Sequence, residues 1–196
     1  MKLIRRDFFR RLFVKMAALG LLGKTGKLYF LAHAQENAGE LADGCKFLNV
    51  SQARTLEAIA DQIIPADDFP GGKDAGVLYF IDNALTGWRS EDRWDYVAGL
   101  EGVDESSQIM FGNKFSDLKS DQQIKVLETL ERGEARGEIW RRFQVAEGRE
   151  AGSSSQRFFN LVVRDTMRGY YADPKYGGNK DSKSWTMIGY VGAPRH

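Results

Sequence analysis

The sequence predicts an all-α fold: a compact multi-helix single domain over residues 35–196 that ends in a long irregular C-terminal arm, residues 169–196. Two observations carry the prediction. Apolar residues recur at helical spacing in segment after segment, and no stretch alternates apolar and polar residues as a half-buried strand does. A third sets the scale, since 196 residues are enough for one domain with a substantial core. There is no internal repeat, and no run of eighteen apolar residues that would span a membrane.

The elements follow in order. "SQARTLEAIADQIIP" places Ala53, Leu56, Ile59, Ala60, Ile63 and Ile64 on one face, with Ser51 as the expected N-cap and Pro65 as the stop. The loop "PADDFPGGKDAG" is rich in breakers. A second helix is expected over Ala75 to Trp88, with Val77, Leu78, Ile81, Ala84, Leu85 and Trp88 inward. Ser90 is the expected cap of a third, carrying Trp94, Val97 and Leu100. In residues 102–118, Ile109, Met110, Phe111 and Phe115 suggest another helical piece. Ser120 and Gln123 have capping-box spacing before Ile124, Leu127 and Leu130, and Gly133 ends that helix. Ile139, Trp140 and Phe143 form a short helical island. "SSQRFFNLVVRDTMRGYY" aligns Phe158, Phe159, Val162, Thr166 and Tyr170 along one stripe. The body therefore reads as five or six packed helices.

Charge is distributed unevenly. Residues 1–34 hold eight of the 28 Lys/Arg and one of the 27 acids, so they carry +7 and the remainder −6. A body at −6 argues against nucleic acid as a partner. The segment 1–34 has a basic start, two short apolar stretches and a small-x-small ending, Ala32-His33-Ala34, where a signal peptidase would cut. "RRDFF" resembles the twin-arginine export motif, with Arg5 and Arg6 as the pair, Phe8 and Phe9 following, and Ile4 departing from the usual Ser or Thr. The expectation is a twin-arginine signal and a periplasmic protein. The plainer alternative is a basic amphipathic helix lying on a membrane or partner.

Cys45 is the single cysteine, so no internal disulfide can form. It is either a buried small hydrophobe or one half of a disulfide to a partner subunit. Only two histidines occur, His33 and His196, which argues against Ser-His-Asp and Cys-His catalysis. One cysteine excludes CxxCH haem attachment and cysteine-based zinc or iron–sulfur sites. No GxGxxG follows a strand and no GxxxxGK[ST] occurs. No catalytic, cofactor-binding or metal residue is therefore assigned. Two acidic loops offer oxygen ligands, Asp67, Asp68 and Asp74 around Gly71-Gly72, and Asp173, Asn179 and Asp181 around Gly177-Gly178. Neither has EF-hand spacing, and Asp and Asn commonly shape turns.

The arm is the unusual segment. "RGYYADPKYGGNKDSKSWTMIGY" holds four of the seven tyrosines and one of the four tryptophans without helical or strand period. Tyr170, Tyr171, Tyr176, Trp185 and Tyr190 could together withdraw on the order of 1,000 Å² from water. They either wrap over the chain's own helices or meet a partner, since Tyr and Trp are enriched at interface hot spots. With Asp173 and Pro174 they form the expected partner interface.

Two motifs now carry a resemblance. "TLEAIADQIIPADDFPGGKDAGVLYFID" and "FFNLVVRDTMRGYYADPKYGGNKDSKSWTMIGYVG" resemble the gluconate 2-dehydrogenase subunit 3 family, over about residues 48–88 and 155–192. Val191 departs from the proline usual before Gly192. The resemblance implies a non-catalytic small subunit without a cofactor of its own. Its implied partner is a FAD-bearing catalytic subunit of the glucose–methanol–choline class acting on a sugar, sugar acid or alcohol, often with a cytochrome c subunit. It further implies that the small chain supports folding of the partner and supplies the twin-arginine signal for co-export. Two alternatives stand beside it: an independent exported enzyme using Asp67, Asp68 or Asp173 as acid and base, and a membrane-surface adaptor held by an uncleaved basic helix.

Overall fold

The computed structural model describes residues 39–147 and 153–191. The leader motif, Arg5, Arg6, Phe8 and Phe9, and the cleavage residues Ala32 and Ala34 lie outside them. Among the described residues there are seven α-helices and no sheet: α1 (Val50–Ile63), α2 (Val77–Thr86), α3 (Arg93–Phe111), α4 (Ser120–Glu131), α5 (Glu138–Glu147), α6 (Ser153–Tyr171) and α7 (Lys183–Met187). The all-α expectation holds. None of these helices is long and apolar enough to cross a membrane.

The two 19-residue helices, α3 and α6, form the centre. Against α3 pack α1, α4 and α5, and against α6 pack α1, α2, α4 and α5. Gly99 and Gly102 let the neighbours come close. A Cβ on Gly99 would fall 2.0 Å from the Phe158 ring, and one on Gly102 would fall 2.6 Å from the Trp140 indole. Tyr96, Leu100 and Val103 continue that face, and Phe158, Val162, Thr166 and Tyr170 answer it from α6, all 2 % exposed or less. The α6 stripe is as the sequence predicts, with Phe159 only partly buried.

Caps differ from expectation by a residue or two, each for a visible reason. Asn49, not Ser51, caps α1: its Oδ1 accepts from Gln52 N at 2.9 Å, and Gln52 Oε1 accepts from Asn49 N at 3.1 Å. Gly76, at φ +70°, keeps Ala75 outside α2, and the non-helical Gly87 leaves Trp88 beyond its end. Trp88 is thus 54 % exposed instead of in the core. Ser90 opens a 3-10 turn, Ser90–Asp92, that leads into α3. That helix runs on to Phe111 and ends at left-handed Gly112, while Phe115 is buried in a separate 3-10 turn. Ser120 is the first residue of α4, where Lys119 N donates to Gln122 Oε1. Ile124 points outward because Gln123 takes the inward position, its Nε2 donating to Phe115 O at 2.9 Å.

Two buried carboxylates tie distant segments together. Asp82 on α2 accepts from the backbone amides of Lys46, Phe47 and Leu48 at 2.7–3.0 Å. Asp82→Ala leaves three amides without an acceptor, and the expected loss is about 3 kcal/mol of unfolding free energy by urea titration. Asp165 on α6, 1 % exposed, accepts from Tyr96 OH at 2.8 Å and pairs with Arg89 at 2.5 Å and with Arg164 at 3.1 Å. Burial, and next the Asp165 charge, pushes the Tyr96 phenol well above its ordinary pKa, so Tyr96 acts as a fixed donor.

Candidate functional site

The helix α6 extends through Tyr171, so the arm leaves the helix three residues later than its expected start at 169. It is also less irregular than its composition suggests. Two 3-10 turns, Pro174–Tyr176 and Lys180–Ser182, and the short helix α7 fold it back onto the body. Asp173 starts the first turn by accepting from Lys175 N at 3.1 Å, and Pro174 sits at the first position of the turn, where no amide donor is needed. Gly177 then reverses the chain at φ +97°, a conformation that favours glycine. Gly178 lies so close to α6 that a Cβ there would be 2.2 Å from Gly169 O.

Asn179 is the clasp. It is fully buried at φ +46°. Its Nδ2 donates to Ala172 O at 3.0 Å, and its Oδ1 accepts from Ser184 N at 3.0 Å. The Ser184 hydroxyl lies 2.7 Å from that Oδ1 and 2.5 Å from Tyr170 O, bonding the arm to the end of α6.

The arm lies against the Pro65–Gly76 loop and α2. Tyr170 OH donates to Pro70 O at 2.7 Å, Lys180 N to Ala75 O at 2.9 Å, and Asn83 Nδ2 to Tyr176 O at 3.3 Å. Two sequence motifs a hundred residues apart thus become one surface. Between them runs a groove of 570 Å³ lined by Phe69, Pro70, Asp181, Lys183, Thr186 and Met187. Gly72 makes the loop's side of this possible, since a Cβ there would meet Ala60 O at 2.5 Å.

The rings divide between inside and outside. Tyr170 is 2 % exposed and belongs to the core. Trp185 is half-buried and donates from Nε1 to Tyr171 O at 3.0 Å. Tyr171, Tyr176 and Tyr190 stay 41–47 % exposed. Two edge-to-face pairs result: Trp185 with Tyr190 at 4.9 Å, and Tyr176 with Trp88 at 5.5 Å. Periodicity misses Trp88 and Phe69, both more than half exposed, because one continues the helical spacing and the other sits in a breaker-rich loop. The loop after α2 that carries Trp88 is anchored by the adjacent Arg89 through its pairs with Asp165 and Asp92. The exposed pair therefore stands on a fixed support.

The acidic loops serve local geometry. Asp67 accepts from Phe69 N, and Asp74 accepts from Gly71 N. Among the described residues, no group of three or more His, Cys, Asp or Glu side chains is gathered to hold a metal.

Cys45 is half-buried beside Tyr79 and packs against the core. Burial, reinforced by the Asp82 charge, pushes its thiol up to about 11. A pKa raised on folding means that the protonated thiol is favoured in the fold. Its contribution to stability is complete below pH 9 and fades as pH rises through 11. At pH 8 the folded chain should react with a disulfide reagent roughly a hundredfold slower than the urea-unfolded chain. Equal rates would contradict the buried thiol.

The family model described as gluconate 2-dehydrogenase subunit 3 matches residues 50–192, and the chain belongs to that family. The match runs from the first residue of α1 to residue 192 in the arm, so it takes in both halves of the joined surface and the helices between them. No curated protein and no solved structure matches the chain.

Proposed function

We propose that this chain is the non-catalytic small subunit of a periplasmic FAD-dependent sugar or alcohol dehydrogenase. It binds the flavoprotein catalytic subunit, of the glucose–methanol–choline class, through the exposed aromatic surface of the arm and the Pro65–Gly76 loop. It supports folding of that subunit and carries it out of the cytoplasm under its own twin-arginine signal, and a cytochrome c subunit takes the electrons onward. FAD belongs to the partner, and this chain holds no cofactor.

The observation that carries the reading is the joined surface itself. A fully buried Asn–Ser clasp and three close-packed glycines hold aromatic rings in place while leaving them half exposed. A side chain kept rigid and wet in the free protein has little ordering left to lose on binding. Family membership gives the oxidoreductase context.

Co-expression of both subunits tests the reading. The wild-type chain should co-purify with a yellow partner from the periplasm. Arg5→Lys with Arg6→Lys should leave the flavin-loaded partner in the cytoplasm while the pair still forms. Export of the partner by that variant would sink the escort role, and a yellow or catalytically active isolated chain would sink the non-catalytic one.

A further inference from the structure

The 570 Å³ groove between the Pro65–Gly76 loop and the arm combines an aromatic wall, an apolar wall and one charge of each sign. Phe69 lines it and is more than half exposed, so its ring is open to a visitor. Pro70 and Met187 are fixed from the buried side by Tyr170, whose hydroxyl donates to Pro70 O at 2.7 Å and lies 3.7 Å from Met187 Sδ. Thr186 and Met187 directly follow Trp185 in α7, so the groove and the exposed rings belong to one surface.

The two lining charges are not equivalent. Lys183 is half-buried, and its Nζ reaches Asp74 O at 3.4 Å. Asp181 is exposed, and among the described residues nothing pairs with its carboxylate. Other acids of the loop and arm are committed: Asp67 and Asp74 hold the amides of Phe69 and Gly71, and Asp173 pairs with Lys175. Asp181 also sits at φ +59°, a backbone that glycine adopts at lower cost, so the turn itself does not require a carboxylate there.

The field in the groove is negative. Burial, then Tyr171, then the Asp67 and Asp74 charges raise the pKa of the Tyr170 phenol. Both carboxylates therefore act at the hydroxyl that joins Pro70 to Met187. With Asp181 they set three carboxylates against the single lining ammonium of Lys183. A planar cation on a long apolar stem meets all of these walls at once. A guanidinium stacks on an aromatic face, forks onto a carboxylate and is more weakly hydrated than an ammonium. Its methylene stem packs on apolar surface such as Pro70 and Met187.

We propose that this groove receives an arginine side chain of the flavoprotein subunit, a partner assignment that rests on the function proposed above. The guanidinium pairs with Asp181 and lies over the Phe69 ring, and the stem runs along Pro70 and Met187. Arginine anchors of this kind are enriched among interface hot spots.

The full-length chain with carbon-13 in its methionine methyl groups reads the groove directly. Met187 gives one of five such resonances, and Met187→Leu assigns it. Titration with N-acetylarginine amide at low ionic strength should shift that resonance saturably. N-acetylcitrulline amide, of the same shape without the charge, should shift it far less at the same concentrations. Asp181→Asn should abolish the arginine shift with the melting temperature unchanged, since asparagine tolerates the left-handed backbone and the lost charge holds nothing in the fold. In the complex, Asp181→Asn should weaken affinity for the co-purifying catalytic subunit by about tenfold or more, and Asp181→Lys further still. Equal shifts from the two probes would overturn the proposal. So would an arginine shift that survives Asp181→Asn, or a catalytic subunit that binds Asp181→Asn as tightly as the parent. A parent chain that responds to the arginine probe and yet binds no flavoprotein would uphold the guanidinium seat and sink the partner assigned to it.

Discussion

Asn179→Ala should detach the C-terminal arm from a body that remains folded. The substitution leaves Ser184 N and Ala172 O without their partner in a buried site, and it forces alanine into a left-handed backbone. Two orphaned buried groups at about 1–3 kcal/mol each, with about 1 kcal/mol more for the backbone, put the local loss near 3–7 kcal/mol. Tryptic cleavage after Lys175, Lys180 and Lys183 reads that loss directly, and it should accelerate at least a hundredfold. The helical signal of the body should melt within a few degrees of the parent. Asn179→Gly separates the causes, because glycine tolerates the backbone but restores no hydrogen bond. It should behave nearly as badly as alanine. Cleavage at the parent rate in both variants would show that the clasp does not hold the arm.

Trp88→Ala combined with Tyr176→Ala should weaken association with the catalytic subunit by about thirtyfold or more, the range of an interface hot spot. Both rings are about half exposed, and their main packing is on each other and on Phe80. Their removal should therefore cost the isolated chain less than about 1 kcal/mol. Tyr171→Ala should follow the same pattern more weakly, whereas Trp185→Ala should lose both affinity and arm anchorage through its bond to Tyr171 O. Affinity measured by titration and stability measured by urea unfolding separate the two. Parallel losses in the Trp88/Tyr176 variant would mean that the pair serves the chain's own fold and no partner.

How much of this was legible in the residues differs by level. Helix identity was readable wherever an apolar stripe was continuous, as in α1 and α6. At α3 it read one helix as two pieces, because the middle is buried nearly all round and so has no polar face to mark a period. Helix ends were misread where a backbone glycine overrode the side-chain pattern, as at Gly76 and Gly87. Ile124 was misplaced because an inward Gln123 satisfying a carbonyl looks, in sequence, like a surface residue. The arm's aromatic content announced a surface. Its partner loop did not, because nothing local in "DDFPGG" says that a tyrosine a hundred residues away will bond Pro70 O. The twin use of Asn179, as a left-handed turn residue and as a buried hydrogen-bonding hub, is likewise a property of the packed state.

Gly99 and Gly102 are three residues apart in the part of the chain that carries no recognisable motif. They nevertheless act as a spacer gauge. The depth to which Phe158 sinks at Gly99 fixes how far α6 stands from the centre, and the last turn of α6 carries Tyr170, whose hydroxyl bonds Pro70 O. A methyl group at Gly99 would displace Phe158 at the head of the second motif and be felt twelve residues of α6 later, as a misalignment of the two motifs. Drift in the chain's anonymous middle is therefore bounded by the tolerances of its recognisable ends.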